Sequence, residues 1–391
     1  MEKDTVKEGT VNENGAAEAA PQEEAVNPSD IFITEIAINH VRHLHDIVIP
    51  LSKTERKNLI LTGENGSGKS SVLEALSLML FEHVNCTFHD EGPLDIEYSS
   101  NVQELYDLYR GHNFVFTKFD DERRLEDKLT FADSSTSDVS ASVLLNQLLT
   151  SQILKRGVPG SKDSIEQANE IDRWFNRFRN VLRKLYNDDS LELVCDSRAS
   201  KFVIHATERE PFDFDTMASG FSAIFDVIAY LLMIMEDSSP GNYDLPGIVL
   251  IDEIEVHLHV GLQKKILPIL TELFPNLQFI VTTHSPFVLA SAKNAVVYDL
   301  EHRTLAADGL SNVPYSGIVE GYFRVDEMSD KLEANLDAYH ALAEKKERTD
   351  ADYAEAARLE LELDKVPDFL AAGWKAEYSR LKLEIAADKG E

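Results

Sequence analysis

Cysteine is nearly absent: the chain holds two, Cys86 and Cys195, among 391 residues. No Cys-x-x-Cys spacing exists for a structural zinc or a redox dithiol, and so few thiols fit a reducing compartment. Basic residues are also in short supply, 38 Lys and Arg against 69 Asp and Glu, for a formal net charge of −31. Such a surface does not coat nucleic acid generally, because phosphate binding draws on an excess of Lys and Arg. Long apolar runs are missing too. The longest, at 248–251 and in the stretch after Ser70, are far too short to cross a bilayer. The start Met1-Glu-Lys-Asp has none of the apolar core of a secretory signal. The expected location is cytoplasmic, with no membrane partner, and the chain shows no internal repeat.

What is present is a Gly-rich loop in the right surroundings. Gly63-Glu-Asn65-Gly66-Ser67-Gly68-Lys69-Ser70 fits the pattern G-x-x-x-x-G-K-[ST] without a mismatch, and Ser71 follows. An apolar run, 58–61, precedes it as a strand, and an apolar helix, 72–80, follows at once. Glycines let the backbone close into a concave nest of N–H groups, and the helix N-terminus adds partial positive charge. Lys69 can reach the β- and γ-phosphates of ATP, and the Ser70 hydroxyl can hold Mg²⁺.

Two further strands end in chemistry. The run 248–251 is wholly apolar, as in a central parallel strand, and ends in Asp252-Glu253. Asp252 is placed to hold Mg²⁺, and Glu253 to orient and deprotonate the attacking water. The run 277–283 ends in His284-Ser285-Pro286, which leaves an imidazole at the same sheet edge for a γ-phosphate or a water.

These three motifs together resemble the ABC-type ATPase heads, and within them the SMC/RecF/OLD-like branch. The resemblance covers roughly residues 31–325. It implies an α/β P-loop NTPase with a mainly parallel core sheet, an N-terminal β subdomain, a helical insert and a helical C-terminal tail. It also implies a signature loop that completes the ATP site of a second copy. Ser219-Gly220 before the apolar helix 224–235 is the candidate, although Phe221 and Ser222 replace the usual Gly and Gln. Arg42 lies where the family's first hairpin reaches the nucleotide. The family's Gln-containing loop has no equivalent at 119–123, and His259 stands where transporter-type members carry Asp.

Along the chain, residues 1–30 read as a disordered acidic leader. Strands at 32–38 and 45–51 form a hairpin, and a loop rich in Ser, Thr and Asp covers 132–140. A helical insert occupies about 140–188. Its clearest helix carries Ile171, Trp174, Phe175, Phe178, Leu182 and Leu185 on one face. Arg173, Arg177 and Lys184 fall opposite that face and are the best candidate nucleic-acid patch. A second hairpin spans 191–206, a helix 262–274 links the two acid- and His-ended strands, and charged helices fill 326–391.

The chain has no long heptads and no Asp-x-Asp after a strand in its last hundred residues, so an SMC arm and a Toprim nuclease are not expected. It thus looks like the stand-alone AAA-type ATPases of bacterial antiphage systems such as Septu, PARIS and retrons. That implies a homodimer or higher oligomer around ATP that regulates a separate effector, a nuclease or toxin. A RecF-like DNA-repair ATPase and a structural scaffold with little turnover are the alternatives.

Overall fold

The computed structural model describes residues 31–85, 92–121, 140–156, 162–196, 201–217, 219–314, 317–319, 330–345, 347–366 and 374–388. The expected leader, nearly all of the 132–140 loop and the expected start of the last helix at 369 lie outside those residues.

Strands β1 (Ile33–Val41) and β2 (Leu44–Pro50) form the expected hairpin, pairing Val41 with Leu44 across a two-residue turn. The turn needs left-handed backbone at Arg42, φ +53°. On the other edge of β1 lies β4 (Leu94–Tyr98), giving a three-stranded antiparallel sheet.

The core is a six-stranded sheet of order β12-β11-β3-β10-β9-β5. It comprises β3 (Asn58–Thr62), β5 (Val115–Phe119), β9 (Gly247–Ile251), β10 (Leu277–Thr282), β11 (Ala295–Asp299) and β12 (Thr304–Ala306). All neighbours are parallel except β12 against β11. Every residue of β3, β5, β9, β10 and β11 is buried, which is why these segments place apolar residues at consecutive positions, β9 throughout, rather than alternating them with polar ones. The fold is therefore an α/β P-loop NTPase fold with a mainly parallel sheet.

Helix α1 (Lys69–Val84) leaves the β3 loop and packs with the β1-β2-β4 sheet in one core. The fully buried Gln278 joins that sheet to the central one. Its amide accepts the Ile33 N–H at 2.7 Å and donates to the carbonyls of Ile33 and Lys57 at 3.0 and 2.7 Å. Helix α2 (Val102–Arg110) packs beside α1.

On the opposite face, α3 (Ala141–Arg156), α4 (Lys162–Tyr186) and α5 (Ser219–Ser238) share a second core. Trp174, Phe178, Leu182 and Leu185 of α4 are buried there, Phe175 packs against them partly buried, and Ile171 is buried as well. A small antiparallel sheet, β6 (Glu192–Asp196), β7 (Lys201–His205) and β8 (Phe212–Asp213), closes this side.

The helix expected at 262–274 is two helices, α6 (Val260–Gln263) and α7 (Ile266–Leu273). Pro268 has no N–H for the Lys264 carbonyl, and its ring crowds that group, so the helix restarts with Pro268 in its first turn. The Lys265 ammonium reaches across to cap α4, donating to the carbonyls of Lys184 and Leu185.

Past the one-turn α8 (Pro286–Leu289) and strands β11 and β12, the described residues include the longer helices α9 (Asp330–Ala343), α10 (Asp350–Leu363) and α11 (Lys375–Asp388). They bury Tyr339, Leu359, Leu363, Tyr378 and Leu381 in a core of their own. Thr349 and Asp352 form a reciprocal capping box at the start of α10.

Candidate functional site

The glycines of the 63–70 loop hold a backbone conformation that residues with a side chain rarely adopt. Gly63, Gly66 and Gly68 all have positive φ, at +137°, +88° and +99°. A Cβ on Gly63 would meet the Ser67 hydroxyl at 2.8 Å, and one on Gly68 would meet Leu44 Cδ1 at the same distance. The loop is thus a backbone cradle packed against the tip of the β1–β2 hairpin. Lys69, 5% exposed, points its ammonium into the cradle, donating to the carbonyls of Gly63 and Glu64 at 2.9 Å each and to Ser67 Oγ at 3.4 Å. Burial pulls its pKa below the usual lysine value, opposed by the negative charges of Glu253, Glu255, Asp252 and Asp299. Ser70, the second residue of α1, is exposed.

The sheet order brings the other two motifs alongside. Strand β10 lies between β3 and β9, so the loop, Asp252-Glu253 and His284 leave three adjacent strand ends on the same edge. Thr282 ties them. Its hydroxyl donates to the Asp252 carboxylate and accepts the Glu253 N–H at 2.7 Å. Glu253 has φ +44°, a left-handed conformation costly for a residue with a Cβ, and this bond helps hold it. His284 is half-buried, and burial together with the Lys69 charge lowers its pKa below the ordinary histidine value, against the pull of Glu255, Glu253 and Asp252.

Arg42, Asn65, Gly66, Gly68, Lys69, Ser70, Ser71, Glu253 and His284 line one cleft of about 250 Å³. His43 lines it as well. The sequence points to Arg42 and not to His43, because strands expected at 32–38 and 45–51 leave six residues between them; the observed two-residue turn sets His43 beside Arg42. Ser67 is buried beneath the loop, and Asp252 stands behind Glu253 against Thr282. Both belong to the site's frame rather than to the lining of the cleft.

The Ser219-Gly220 pair forms the first turn of α5, and Gly220 is not part of the lining of this cleft. A Cβ on Gly220 would meet Leu262 Cδ1 at 3.3 Å and the backbone of His257 and His259 at 3.8–4.0 Å. His259 itself caps α6, accepting the Gly261 N–H at 3.3 Å, and no group of three or more metal-ligating side chains occurs among the described residues.

The basic face of α4 is charge-compensated. Arg177 pairs with Asp244, Lys184 with Glu272 at 2.6 Å, and Arg173 approaches Glu170 at 3.8 Å. Among the described residues, no helix is long and apolar enough to cross a membrane.

A phosphate-loop strand, an acid-ended strand and a His-ended strand converging on one cleft are the architecture of the P-loop NTPase fold. Comparison with known proteins narrows this. Residues 142–290 match the family model described as "AAA domain, putative AbiEii toxin, Type IV TA system". The chain is similar to the Septu protein PtuA of Bacillus mycoides (strain KBAB4), 28% identical over 66% of this chain and 39% of that protein. It is similar to the Retron Ec83 probable ATPase of Escherichia coli, 27% identical over 65% of this chain and 54% of that protein. The chain thus spans about two fifths to one half of these two relatives. A PtuA of Bacillus thuringiensis is 22% identical over 67% of this chain and 74% of its own length. Among solved structures, the SMC head domain from Thermotoga maritima aligns with 68% of this chain and 94% of its own at 14% identity and a TM-score of 0.38. A nucleotide-free ATP-binding cassette from an ABC transporter aligns over 72% and 95% at 15% identity and a TM-score of 0.34. The class itself rests on the chain's own sheet order and site.

Proposed function

We propose that this chain binds and hydrolyses ATP, dimerises or oligomerises around it, and thereby regulates a separate effector, a nuclease or toxin, in bacterial antiphage defence. The observation that carries the enzymatic part is the convergence of Lys69, Ser70, Glu253 and His284 on one open cleft. The residues present fit a magnesium nucleotide. The cradle excludes side chains at Gly63 and Gly68, and the Ser70 hydroxyl and Asp252 carboxylate are the oxygen donors Mg²⁺ prefers. When bound, the metal would neutralise phosphate charge. Lys69 would hold the terminal phosphates, Glu253 would orient and deprotonate the water, and His284 would hydrogen-bond the γ-phosphate or that water.

The first turn of α5 supports assembly. Gly220 lies outside the chain's own cleft, as a group serving the site of a second copy must, and the helix N-terminus there suits a γ-phosphate. The defence role draws on the likeness to the Septu and retron proteins. Two variants test the proposal. Lys69→Ala loses nucleotide binding, whereas Glu253→Gln binds ATP, slows hydrolysis by roughly 10²- to 10⁴-fold and accumulates an ATP-dependent dimer in size-exclusion chromatography with light scattering. A Glu253→Gln protein hydrolysing at the wild-type rate would overturn the assignment, and an ATP-loaded Glu253→Gln that stays monomeric would overturn the assembly. Co-purification of a nuclease or toxin with the full chain tests the effector.

A further inference from the structure

We infer that Glu255 is a positioning residue that fixes His284 and ties it to the loop beneath the Gly220 turn. The inference rests on the ATPase reading above. Glu255 lies two residues past Glu253, after the left-handed turn, and its carboxylate spans to the neighbouring strand end. One oxygen accepts the His284 backbone N–H at 2.5 Å, and the other accepts the Thr283 hydroxyl at 2.7 Å. Thr283 is fully buried, and its hydroxyl oxygen accepts the Ser285 N–H at 3.0 Å. One carboxylate therefore fixes the backbone direction from which the imidazole projects.

A second bridge runs parallel to the first. Ser285 donates to Gln263 Oε1 at 2.7 Å, and Gln263 donates back to the Leu258 carbonyl at 2.9 Å. Residues 255–263 and 283–285 are thus stitched at both ends into one hydrogen-bonded unit. The upper side of that unit, the backbone of His257 and His259 with Leu262, is the surface against which Gly220 packs. A displacement of the α5 start by an incoming copy would press on the segment that holds His284. Glu255 is the direct link between that segment and the His284 backbone that carries the imidazole. A carboxylate holding two donors makes stronger bonds than a neutral acceptor would, so the link is stiff.

The test is steady-state ATPase kinetics on the full chain with Mg²⁺ and ATP, alongside nucleotide affinity and thermal unfolding. Glu255→Ala is expected to lower kcat roughly 10- to 100-fold, the cost of a misplaced group near the chemistry, with KM and nucleotide Kd within about twofold. The buried Thr283 hydroxyl loses its acceptor, so the unfolding midpoint falls too, and the kinetics are read well below it. Glu255→Gln recovers part of the loss, because its amide oxygen still accepts one of the two donors. In a His284→Ala background, Glu255→Ala costs little more, since its effect passes through the imidazole.

A wild-type kcat in Glu255→Ala would overturn the inference, as would a fully additive loss in the His284→Ala background. A loss confined to nucleotide affinity would also overturn it, by assigning Glu255 to charge balance at Lys69. Glu253→Gln run in parallel separates the two readings. If it hydrolyses at the wild-type rate, the ATPase assignment fails; if it is slowed while Glu255→Ala keeps the wild-type kcat, only the role of Glu255 fails.

Discussion

The hydroxyl of Thr282 meets the carboxylate of Asp252 across the β10–β9 pair, and the same oxygen accepts the Glu253 N–H. One buried side chain thus orients both acids of the candidate site. Thr282→Val keeps the shape and removes the bonds, leaving the Glu253 N–H without that acceptor. The expected outcome is a loss of about 1–3 kcal/mol in stability by urea unfolding. A drop in kcat and a higher Mg²⁺ requirement accompany it, with Thr282→Ser close to wild type.

The hairpin tip offers a separate test. Arg42 and His43 line the cleft from an element that carries none of the three strand-end motifs. Arg42→Ala weakens nucleotide affinity, measured by titration calorimetry, while kcat at saturating ATP stays within a few-fold of wild type. A collapse of kcat with unchanged affinity would place Arg42 at the chemistry instead. Arg42→Gly is the informative partner variant, because it removes the side chain while relieving the positive φ.

Stability should fall as the solution is acidified below the ordinary histidine range. His83 is buried with its ring 2.8 Å from the Tyr98 hydroxyl, and burial lowers its pKa against the pull of Glu82. His284 is lowered as well, by burial and by Lys69. A group with a depressed folded pKa binds more protons when unfolded, so its stabilisation is complete above about 6.5 and is lost as pH falls from there through the folded pKa. Asp188 and Asp352, each held at about 2, mainly by Ser190 and Lys345 respectively, act only at much lower pH. The unfolding midpoint is therefore expected to drop between about pH 7 and 5. His83→Gln should flatten that slope; an unchanged slope would remove His83 as a cause.

Much of the site was legible because its polar residues stand at the ends of predominantly apolar strands. Lys69, Asp252, Glu253 and His284 could be read that way, and the strand order then joined them. Strand β11 opens on the apolar Ala295-Val296-Val297, yet only its pairing with β3 gives it a place, and pairing between distant segments is not written locally. Strand β4 and helix α2 mix polar and apolar residues over short spans and carry no motif. The ties made by Thr282 and Glu255 depend on the left-handed turn at Glu253, which no residue type announces. The paired state of α4's basic face was equally hidden, since Asp244 and Glu272 lie 67 and 88 residues away in sequence from their partners.

That pairing sets the expected result for nucleic acid. Arg177 and Lys184 hold Asp244 and Glu272, so the face presents little net positive potential, and the chain as a whole carries −31. Phosphate binding on such a face must break existing ion pairs before it gains any attraction. Double-stranded DNA should therefore bind weakly at about 0.15 M salt in the presence of ATP. Reversing the charge of Arg173, Arg177 and Lys184 with glutamate should leave that weak binding nearly unchanged. The same reversal sets new carboxylates against Asp244 and Glu272, so it lowers the unfolding midpoint instead. A steep salt dependence of DNA affinity that the reversal abolishes would favour a DNA clamp over an effector-regulating ATPase, because counterion release requires cations free to meet phosphate.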